Sequence, residues 1–214
     1  MNMMSNTKTK AVTRNEKFLT IRTITVIAML SAVATVLMLF EIPLWFAPFF
    51  YELDFSEVPV LVGAFAMGPA AGALIELVKV LLNLVINGTI TMGVGELANF
   101  LIGCSLVVPA AMIYNRKKSF KSAVKGLAAG IVSMTVIGSA LNAFLLLPVF
   151  AFFMRTDMAA LVQYGTEVNP AIQNLATFIL LAVAPFNLLK GVLVSAVTIL
   201  LYKRLSTVIK AFTK

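Results

Sequence analysis

Two polar side chains, Asn187 and Lys190, lie three residues apart in the last long apolar stretch of the sequence. On a helix this spacing places both on one face. An amide donates and accepts hydrogen bonds and an ammonium group donates three, so the pair suits a polar ligand. Lys190 has no acidic residue nearby in the sequence, which favours a ligand contact. For Asn187, beside the helix-weakening Pro185, a hydrogen bond that joins two helices is the alternative.

Further polar residues with helical spacing lie inside other apolar stretches: Glu76, Lys79 and Asn83 in one, Glu96 and Asn99 in the next, and Asn142 in a third. Polar groups are costly in a bilayer and usually face the protein interior, so these faces are expected to converge on one polar cavity. Glu76 and Lys79 are expected to pair with each other, since buried charges are normally paired. Asn142 fits either the cavity or a hydrogen bond that holds two helices together.

The sequence offers little catalytic chemistry. It contains no histidine and one cysteine, Cys104, so it lacks the side chains of a His/Cys metal cluster and of an intrachain disulfide. The phosphate-binding pattern G-x-x-x-x-G-K-[ST] does not occur. Glu76 and Glu96 remain as candidates for a pair of catalytic carboxylates, and nothing else supports an enzyme. We therefore expect a binding protein without catalytic residues or a metal.

The elements that position these residues are predicted to be membrane helices. Hydrophobic residues make up 60% of the 214-residue chain, charged residues make up 12%, and the mean hydropathy is +0.98. This composition leaves too little polar surface for a water-soluble fold and gives room for roughly five to seven spans. The net charge of +8 would suit nucleic acid, but Lys and Arg cluster beside the apolar stretches, as in cytoplasmic loops. We therefore expect no nucleic-acid binding.

The basic clusters predict an all-α integral membrane protein, a six-helix bundle with both termini in the cytoplasm. Residues 1–20 are expected to form a basic cytoplasmic N-terminus, 21–202 a single six-helix membrane domain, and 203–214 a basic cytoplasmic C-terminus. The spans are predicted at about 21–40, 58–67, 70–86, 94–114, 124–153 and 172–202. The outer loop between helices 1 and 2 is expected to fold back against the protein, because lipid leaves irregular backbone unsatisfied.

Two aromatic candidates, Trp45 and Tyr51, lie in this first outer loop. Such side chains anchor proteins at the membrane interface, and the alternative is that they wall the cavity. In the first helix, Ala28 and Ala32 lie four residues apart, a spacing of small residues that lets helices approach closely. Packing within the bundle accounts for this pattern, and a docking surface for another membrane protein is the alternative.

Three sequence blocks carry a resemblance to a known family: ELDFSEVPVLVGAFAMGPAAGALIELVKVLLN at 52–83, GELANFLIG at 95–103 and PFNLLKG at 185–191. Together they resemble the riboflavin-specific substrate-binding component of energy-coupling factor (ECF) vitamin transporters. The resemblance implies a six-helix subunit that binds riboflavin from outside in a pocket closed by the first outer loop. It also implies a bacterial plasma membrane location, docking on an ECF transmembrane coupling subunit with two ATPase subunits, and no enzyme activity or cofactor of its own.

The resemblance also assigns roles to single residues. Ala28 and Ala32 match the alanine motif that faces the coupling subunit. Asn187 and Lys190 match the polar pair of the final helix that contacts riboflavin, and Asn142 matches an asparagine of the fifth helix. Further ligand contacts are expected from Glu96, Asn99, Trp45, Phe49, Phe50 and Tyr51. A different vitamin or small heterocycle, an intramembrane enzyme, and a scaffold without a ligand remain the alternatives.

Overall fold

The computed structural model describes residues 20–48, 50–89 and 91–211, with side chains described up to Tyr202. Most of the predicted basic N-terminus, residues 1–20, lies outside the described residues, as does Phe49. The side chains of the predicted basic C-terminus, 203–214, lie outside them as well.

Helices dominate the described part of the chain, and one small sheet accompanies them. The helices are α1 (Ile21–Met38), α2 (Glu57–Met67), α3 (Pro69–Asn87), α4 (Val94–Arg116), α5 (Phe120–Leu141), α6 (Leu147–Met154), α7 (Met158–Val168), α8 (Leu175–Phe178) and α9 (Ala184–Ala211). Strands β1 (Ile42–Pro43) and β2 (Glu52–Leu53) pair antiparallel within the loop that joins α1 and α2. Short π-helical turns at Asn142–Leu146 and Ile179–Val183 join α5 to α6 and α8 to α9.

Among the described residues, five continuous helical segments are long and apolar enough to cross a membrane: Ile21–Met38, Pro69–Asn87, Val94–Arg116, Phe120–Met154 and Leu175–Tyr202. The remaining predicted span coincides with α2, whose 11 residues are fewer than the roughly 20 that a bilayer requires. An all-α membrane protein is therefore confirmed, whereas the six-helix count and the topology remain predictions. The stretch between the predicted spans 124–153 and 172–202 contains helix α7.

The sharp turn between α2 and α3 consists of Gly68 alone. Its φ of 108° is open to glycine and strained for other residues. Pro69 then begins α3, where a missing N–H removes no helical hydrogen bond. This turn lays α2 antiparallel against α3 and brings Glu57, the first residue of α2, into contact with Lys79 of α3.

Helices α4 and α5 pack closely because glycines of α5 face the backbone of α4. A Cβ atom at Gly126 would lie 2.5 Å from the carbonyl oxygen of Ala110, and one at Gly130 equally close to that of Leu106. Helix α9 packs against α5 and α2. The main core fills the space between these helices, and α9 contributes Val194 to it.

A second, smaller core, here called the cap core, lies where α6, α7 and α8 meet the start of α9. It is formed by Leu147, Ala151, Leu161, Ile172, Phe178, Ala182 and Val183. Phe50 and Tyr51, from the loop between α1 and α2, pack against it. The prediction that this loop folds back against the protein is therefore confirmed.

Candidate functional site

A cavity of about 370 Å³ lies between the α1–α2 loop, the α3–α4 loop and helices α4, α5 and α9. Its volume falls within the range of about 300–1,000 Å³ that small-molecule sites occupy. The polar lining comprises Glu41, Glu52, Asp54, Glu57, Asn83, Asn87, Thr91, Glu96, Asn99, Asn142, Asn187 and Lys190. Apolar walls come from Phe50, Tyr51, Ile102, Met134 and Phe186. The polar faces predicted from helical spacing therefore meet at one cavity in part, since Glu76 and Lys79 do not line it.

Most of the residues predicted to bind a ligand line this cavity: Asn187, Lys190, Asn142, Asn99, Glu96, Phe50 and Tyr51. Trp45 does not line it. Its side chain is 88% exposed and packs edge-to-face against Phe46, with the ring centroids 5.6 Å apart. The position of Trp45 fits its alternative role as an interface anchor, because the fold of the loop turns Tyr51 inward and Trp45 outward.

Lys190 is buried and has an acidic partner, contrary to what its sequence neighbourhood indicated. Its Nζ donates a hydrogen bond of 2.6 Å to Asp54 Oδ2, across 136 residues of sequence. Asp54 Oδ1 accepts a second bond, of 2.7 Å, from the backbone N–H of Ser56. Burial raises the pKa of Asp54, but the charges of Lys190 and Lys79 and these hydrogen bonds outweigh it and lower the pKa to about 2. Asp54 is therefore ionised at physiological pH.

Lys79 lies at the centre of a second buried cluster. The predicted pair with Glu76 is confirmed, at 2.6 Å, and Glu57 adds a second carboxylate at 2.9 Å. Lys79 Nζ also donates to Ser56 Oγ at 3.1 Å, so it has two hydrogen-bond acceptors, Ser56 and Glu57, and an ion-pair partner in Glu76. Lys190, in contrast, has one partner, Asp54, among the described residues. Of these two lysines only Lys190 lines the cavity.

Asn187 is the polar residue of the cavity with the least satisfied hydrogen bonding. Its side chain is 1% exposed, and its Nδ2 has no hydrogen-bond partner among the described residues. Gly138 of α5 makes room for it, since a Cβ atom there would lie 2.9 Å from Asn187 Nδ2. Because a buried amide donor normally has a partner, this group marks a place where a ligand atom can bind.

Asn142 and Tyr51 tie the loop between α1 and α2 to α5. The Tyr51 hydroxyl donates a bond of 2.6 Å to Asn142 Oδ1, and Asn142 Nδ2 donates one of 2.8 Å to the Gly138 carbonyl. The Tyr51 ring packs against Phe178 and Phe186, at centroid distances of 6.4 and 5.2 Å. Asn142 also begins a π-helical turn, a feature that often accompanies functional sites. Asn142 therefore lines the cavity and bonds to the α1–α2 loop and to its own helix, and these hydrogen bonds do not join it to a second helix.

Glu96 organises the α3–α4 loop at the edge of the cavity. Its Oε2 accepts hydrogen bonds from the hydroxyls of Thr89, at 3.1 Å, and Thr91, at 3.3 Å. Those hydroxyls in turn accept bonds from the backbone N–H groups of Gly93 and Gly95, where α4 begins. Glu96 therefore lines the cavity and also holds its loop wall in place.

The strand pair in the α1–α2 loop brings two further carboxyl groups to the cavity, Glu41 and Glu52. Burial raises the pKa of Glu41 to about 7, together with the hydrogen bond and charge of Glu52 and the charge of Asp54, while Lys190 acts in the opposite direction. Glu41 itself retains an exposed surface. This edge of the cavity therefore carries a carboxyl group that titrates near neutral pH.

Ala28 and Ala32 both lie on the exposed face of α1. The opposite face of the helix packs into the bundle through Ser31 and Thr35, whose hydroxyls donate to the carbonyl oxygens of Ile75 and Lys79 in α3. Packing of the two alanines within this bundle is therefore wrong as an explanation of their spacing. Their face is available to lipid or to another protein.

Sequence reasoning missed the acidic residues that the α1–α2 segment contributes: Glu41, Glu52, Asp54 and Glu57. It placed all four in an outer loop and gave none of them a partner. A usable signal existed, because a lysine inside a membrane span needs a buried counter-charge. Lys79 and Lys190 together require more carboxylates than Glu76 supplies, and the α1–α2 segment is where acidic residues concentrate.

Comparison with known proteins gives consistent results over most of the chain. A family model described as "ECF transporter, substrate-specific component" matches residues 22–202. The "Riboflavin transporter RibU" of Staphylococcus aureus (strain TCH60) is 40% identical over 187 residues, which cover 86% of this chain and 90% of that protein. The "Riboflavin transporter FmnP" of Bacillus subtilis (strain 168) is 31% identical over 188 residues, or 86% of this chain and 92% of that protein.

A solved structure is similar as well. It is described as "Structure and mechanism of the S component of a bacterial ECF transporter", and it is 36% identical in sequence. The two folds superpose with a TM-score of 0.70, over 92% of this chain and 99% of the other. Similarity of sequence and similarity of fold therefore extend over the same region, which contains the cavity.

Proposed function

The chain belongs to the family of ECF transporter substrate-specific components, and we propose that it binds riboflavin outside the cell for ATP-driven uptake. Members of this family are transport components and not enzymes, and their apolar helices place them in the cell membrane as multi-pass proteins. The names of the similar proteins from S. aureus and B. subtilis support riboflavin as the ligand.

The observation that carries the proposal is the unpartnered Nδ2 of Asn187 in an amide-rich cavity. A flavin ring has carbonyl oxygens and ring nitrogens along one edge and is otherwise flat and apolar. Asn187 supplies a donor for such an edge, and the rings of Tyr51 and Phe186 supply an apolar wall, 5.2 Å apart between centroids. Asn83 and Asn99 add amides that suit the hydroxyl groups of a ribityl chain.

Lys190 has a different part in this proposal. Asp54 takes one of its three hydrogens, and the other two have no partner among the described residues, although the side chain is buried. The ion pair with Asp54 fixes the direction of the ammonium group. We therefore assign Lys190 to the ligand, as a pre-oriented donor.

The exposed face of α1 supports the second half of the proposal, which is docking on an ECF coupling subunit that works with two ATPase subunits. Ala28 and Ala32 have small side chains on this face, so the backbone of another helix can approach it closely. The basic turn between α4 and α5, residues 116–121, lies at the far end of α4 from the cavity. With that turn in the cytoplasm, the cavity opens to the outside, and both termini lie inside.

A fluorescence titration of the purified protein with riboflavin tests the ligand. We expect quenching of flavin fluorescence with an affinity tighter than micromolar. Absence of such binding would contradict the proposal. A thermal-shift screen with other vitamins distinguishes the main alternative, since a tight ligand raises the melting temperature of the protein that binds it.

Substitutions on α1 test docking separately from binding. Ala28→Leu and Ala32→Leu place bulk on the exposed face, and we expect them to abolish ATP-driven uptake and leave riboflavin affinity unchanged. Val33→Leu, also on an exposed part of α1, is the matched control. Loss of riboflavin binding in the alanine variants would contradict this division of roles.

A further inference from the structure

Glu57 is an acidic residue of the cavity whose carboxylate is only half used. Its Oε1 accepts a hydrogen bond of 2.9 Å from Lys79 Nζ, whereas its Oε2 has no partner among the described residues. The side chain is 1% exposed and lines the cavity. Because a buried acceptor without a partner is costly, this oxygen indicates a donor on the ligand.

Glu76 provides a comparison on the same lysine. Its Oε1 lies 2.6 Å from Lys79 Nζ, the side chain is equally buried, and neither of its oxygens has a hydrogen-bond partner among the described residues, but Glu76 is not among the residues that line the cavity. Gly103 of α4 makes room for both carboxylates, since a Cβ atom there would lie against Glu76 Oε1 and 3.0 Å from Glu57 Oε1. Of the two carboxylates that contact Lys79, Glu57 is the one that lines the cavity.

The charges around Glu57 define the ligand group that it can bind. The ammonium group of Lys79 and the N-terminal end of α2 both place positive charge beside this carboxylate. A carboxylate oxygen without a partner is a hydrogen-bond acceptor, so the ligand group that suits it is an N–H or O–H. Asn187 adds an unpartnered donor to the same cavity, which suits a carbonyl oxygen. The two residues together fit an edge on which an N–H lies beside a carbonyl group.

We propose, resting on the riboflavin-binding function above, that Glu57 accepts a hydrogen bond from the imide N–H of the pyrimidine ring of the flavin. The flavin ring system has one N–H, flanked by two carbonyl groups, and one of these carbonyls faces Asn187. A ring without the N–H leaves Glu57 Oε2 unpaired, and sites built around a polar group discriminate strongly against ligands that lack its partner. Glu57 is therefore a specificity-determining residue.

The experiment compares riboflavin with 3-methylriboflavin, in which a methyl group replaces the imide hydrogen. Both are titrated into the purified full-length protein in detergent, with quenching of flavin fluorescence as the readout. We expect the methylated ligand to bind roughly 10- to 100-fold more weakly, the range for a hydrogen bond to a charged group. Equal affinity for the two ligands would overturn the assignment of Glu57.

Variants separate loss of the hydrogen bond from a steric effect of the methyl group. Glu57→Ala removes the acceptor and opens space for the methyl group. We therefore expect this variant to bind riboflavin more weakly than the wild type and to bind riboflavin and 3-methylriboflavin with equal affinity. Glu76→Ala is the matched control, because it removes the other carboxylate of Lys79 but should preserve the preference. If Glu57→Ala does not fold, Glu57→Gln keeps the shape and should still weaken riboflavin binding.

Three outcomes separate the role of Glu57 from riboflavin binding by the protein as a whole. Equal effects of the Glu57 and Glu76 variants would overturn the proposal, since Glu57 would then act only through Lys79. A wild-type protein that binds both ligands equally well would retain the proposed function and lose the role of Glu57. A wild-type protein that binds neither ligand would overturn the proposed function, and the role of Glu57 with it.

Discussion

The two buried lysines of the bundle, Lys79 and Lys190, have similar burial and different surroundings. Lys79 has three polar partners, Ser56, Glu57 and Glu76, and it does not line the cavity. Lys190 uses one hydrogen on Asp54 and does line it. Both lysines are charges inside apolar helices, yet the protein surrounds one with partners and leaves the other with a single partner among the described residues.

This difference separates the lysine that holds the fold from the lysine that binds the ligand. The ammonium group of Lys79 joins α2 to α3 and contributes to stability as long as its carboxylate partners are present. The ammonium group of Lys190 has hydrogens without a protein partner among the described residues, so its removal should affect ligand binding more than the stability of the fold. Substitutions of the two lysines by the same residue are therefore the strongest test of the comparison.

The largest effect on stability is expected for Lys79→Met. It leaves the carboxylates of Glu57 and Glu76 buried side by side without a counter-charge, and breaking a buried ion pair in this way costs about 3–5 kcal/mol. For a chain of this size that corresponds to a fall in melting temperature of roughly 6–20 °C. Thermal unfolding in detergent measures this fall. A melting temperature equal to that of the wild type would contradict the claim that Lys79 stabilises the fold.

Lys190→Met should have the opposite profile. Asp54 keeps its hydrogen bond from the backbone of Ser56, and one carboxylate loses its partner instead of two, so the loss of stability should be smaller than for Lys79→Met. Riboflavin affinity should fall by roughly 10- to 100-fold, because a charged donor to the ligand is lost. Unchanged affinity, measured by fluorescence titration, would show that Lys190, like Lys79, stabilises the fold and does not contact the ligand.

The smallest effect is expected at the edge of the cavity, from Glu41. Its pKa is raised from an ordinary 4.5 to about 7, so the folded protein holds this proton more tightly than the unfolded chain does. The stabilisation is present in full below about pH 4.5 and is lost as the pH rises through 7. The melting temperature should therefore decline between pH 5 and 8, whereas Asp54, with a pKa of about 2, stays ionised throughout.

Glu41→Gln is the matched variant for this pH dependence, since it keeps the size of the side chain and cannot ionise. Its melting temperature should vary less between pH 5 and 8 than that of the wild type. A decline as steep as in the wild type would assign the pH dependence to another group.

The sequence predicts the parts of this site that depend on local spacing. Asn187 and Lys190 on one turn, the pair of Glu76 and Lys79, and the common face of Ala28 and Ala32 all follow from helical geometry, although packing within the bundle was the expectation for that face. Each requires only that a segment is helical, and long apolar segments establish that reliably.

The parts that escaped prediction depend on contacts between distant segments. Asp54 and Lys190 meet across 136 residues, and no local pattern links them. The same applies to Tyr51 and Asn142, which are 91 residues apart. Trp45 was predicted to contact the ligand and does not line the cavity. The fold of the loop around the strand pair decides this, and no local pattern in the sequence shows it. The acidic residues could have been predicted from the rule that each buried lysine needs a counter-charge.

The most direct test of the account is a riboflavin titration of Asn187→Ala against the wild type, with melting temperatures measured on the same samples. We expect the variant to bind riboflavin about tenfold more weakly or worse, because the amide that contacts the ligand is lost. The melting temperature should change little, because Asn187 Nδ2 has no partner among the described residues to lose. Wild-type affinity in this variant would contradict the central claim that the unpartnered amide of α9 binds the ligand.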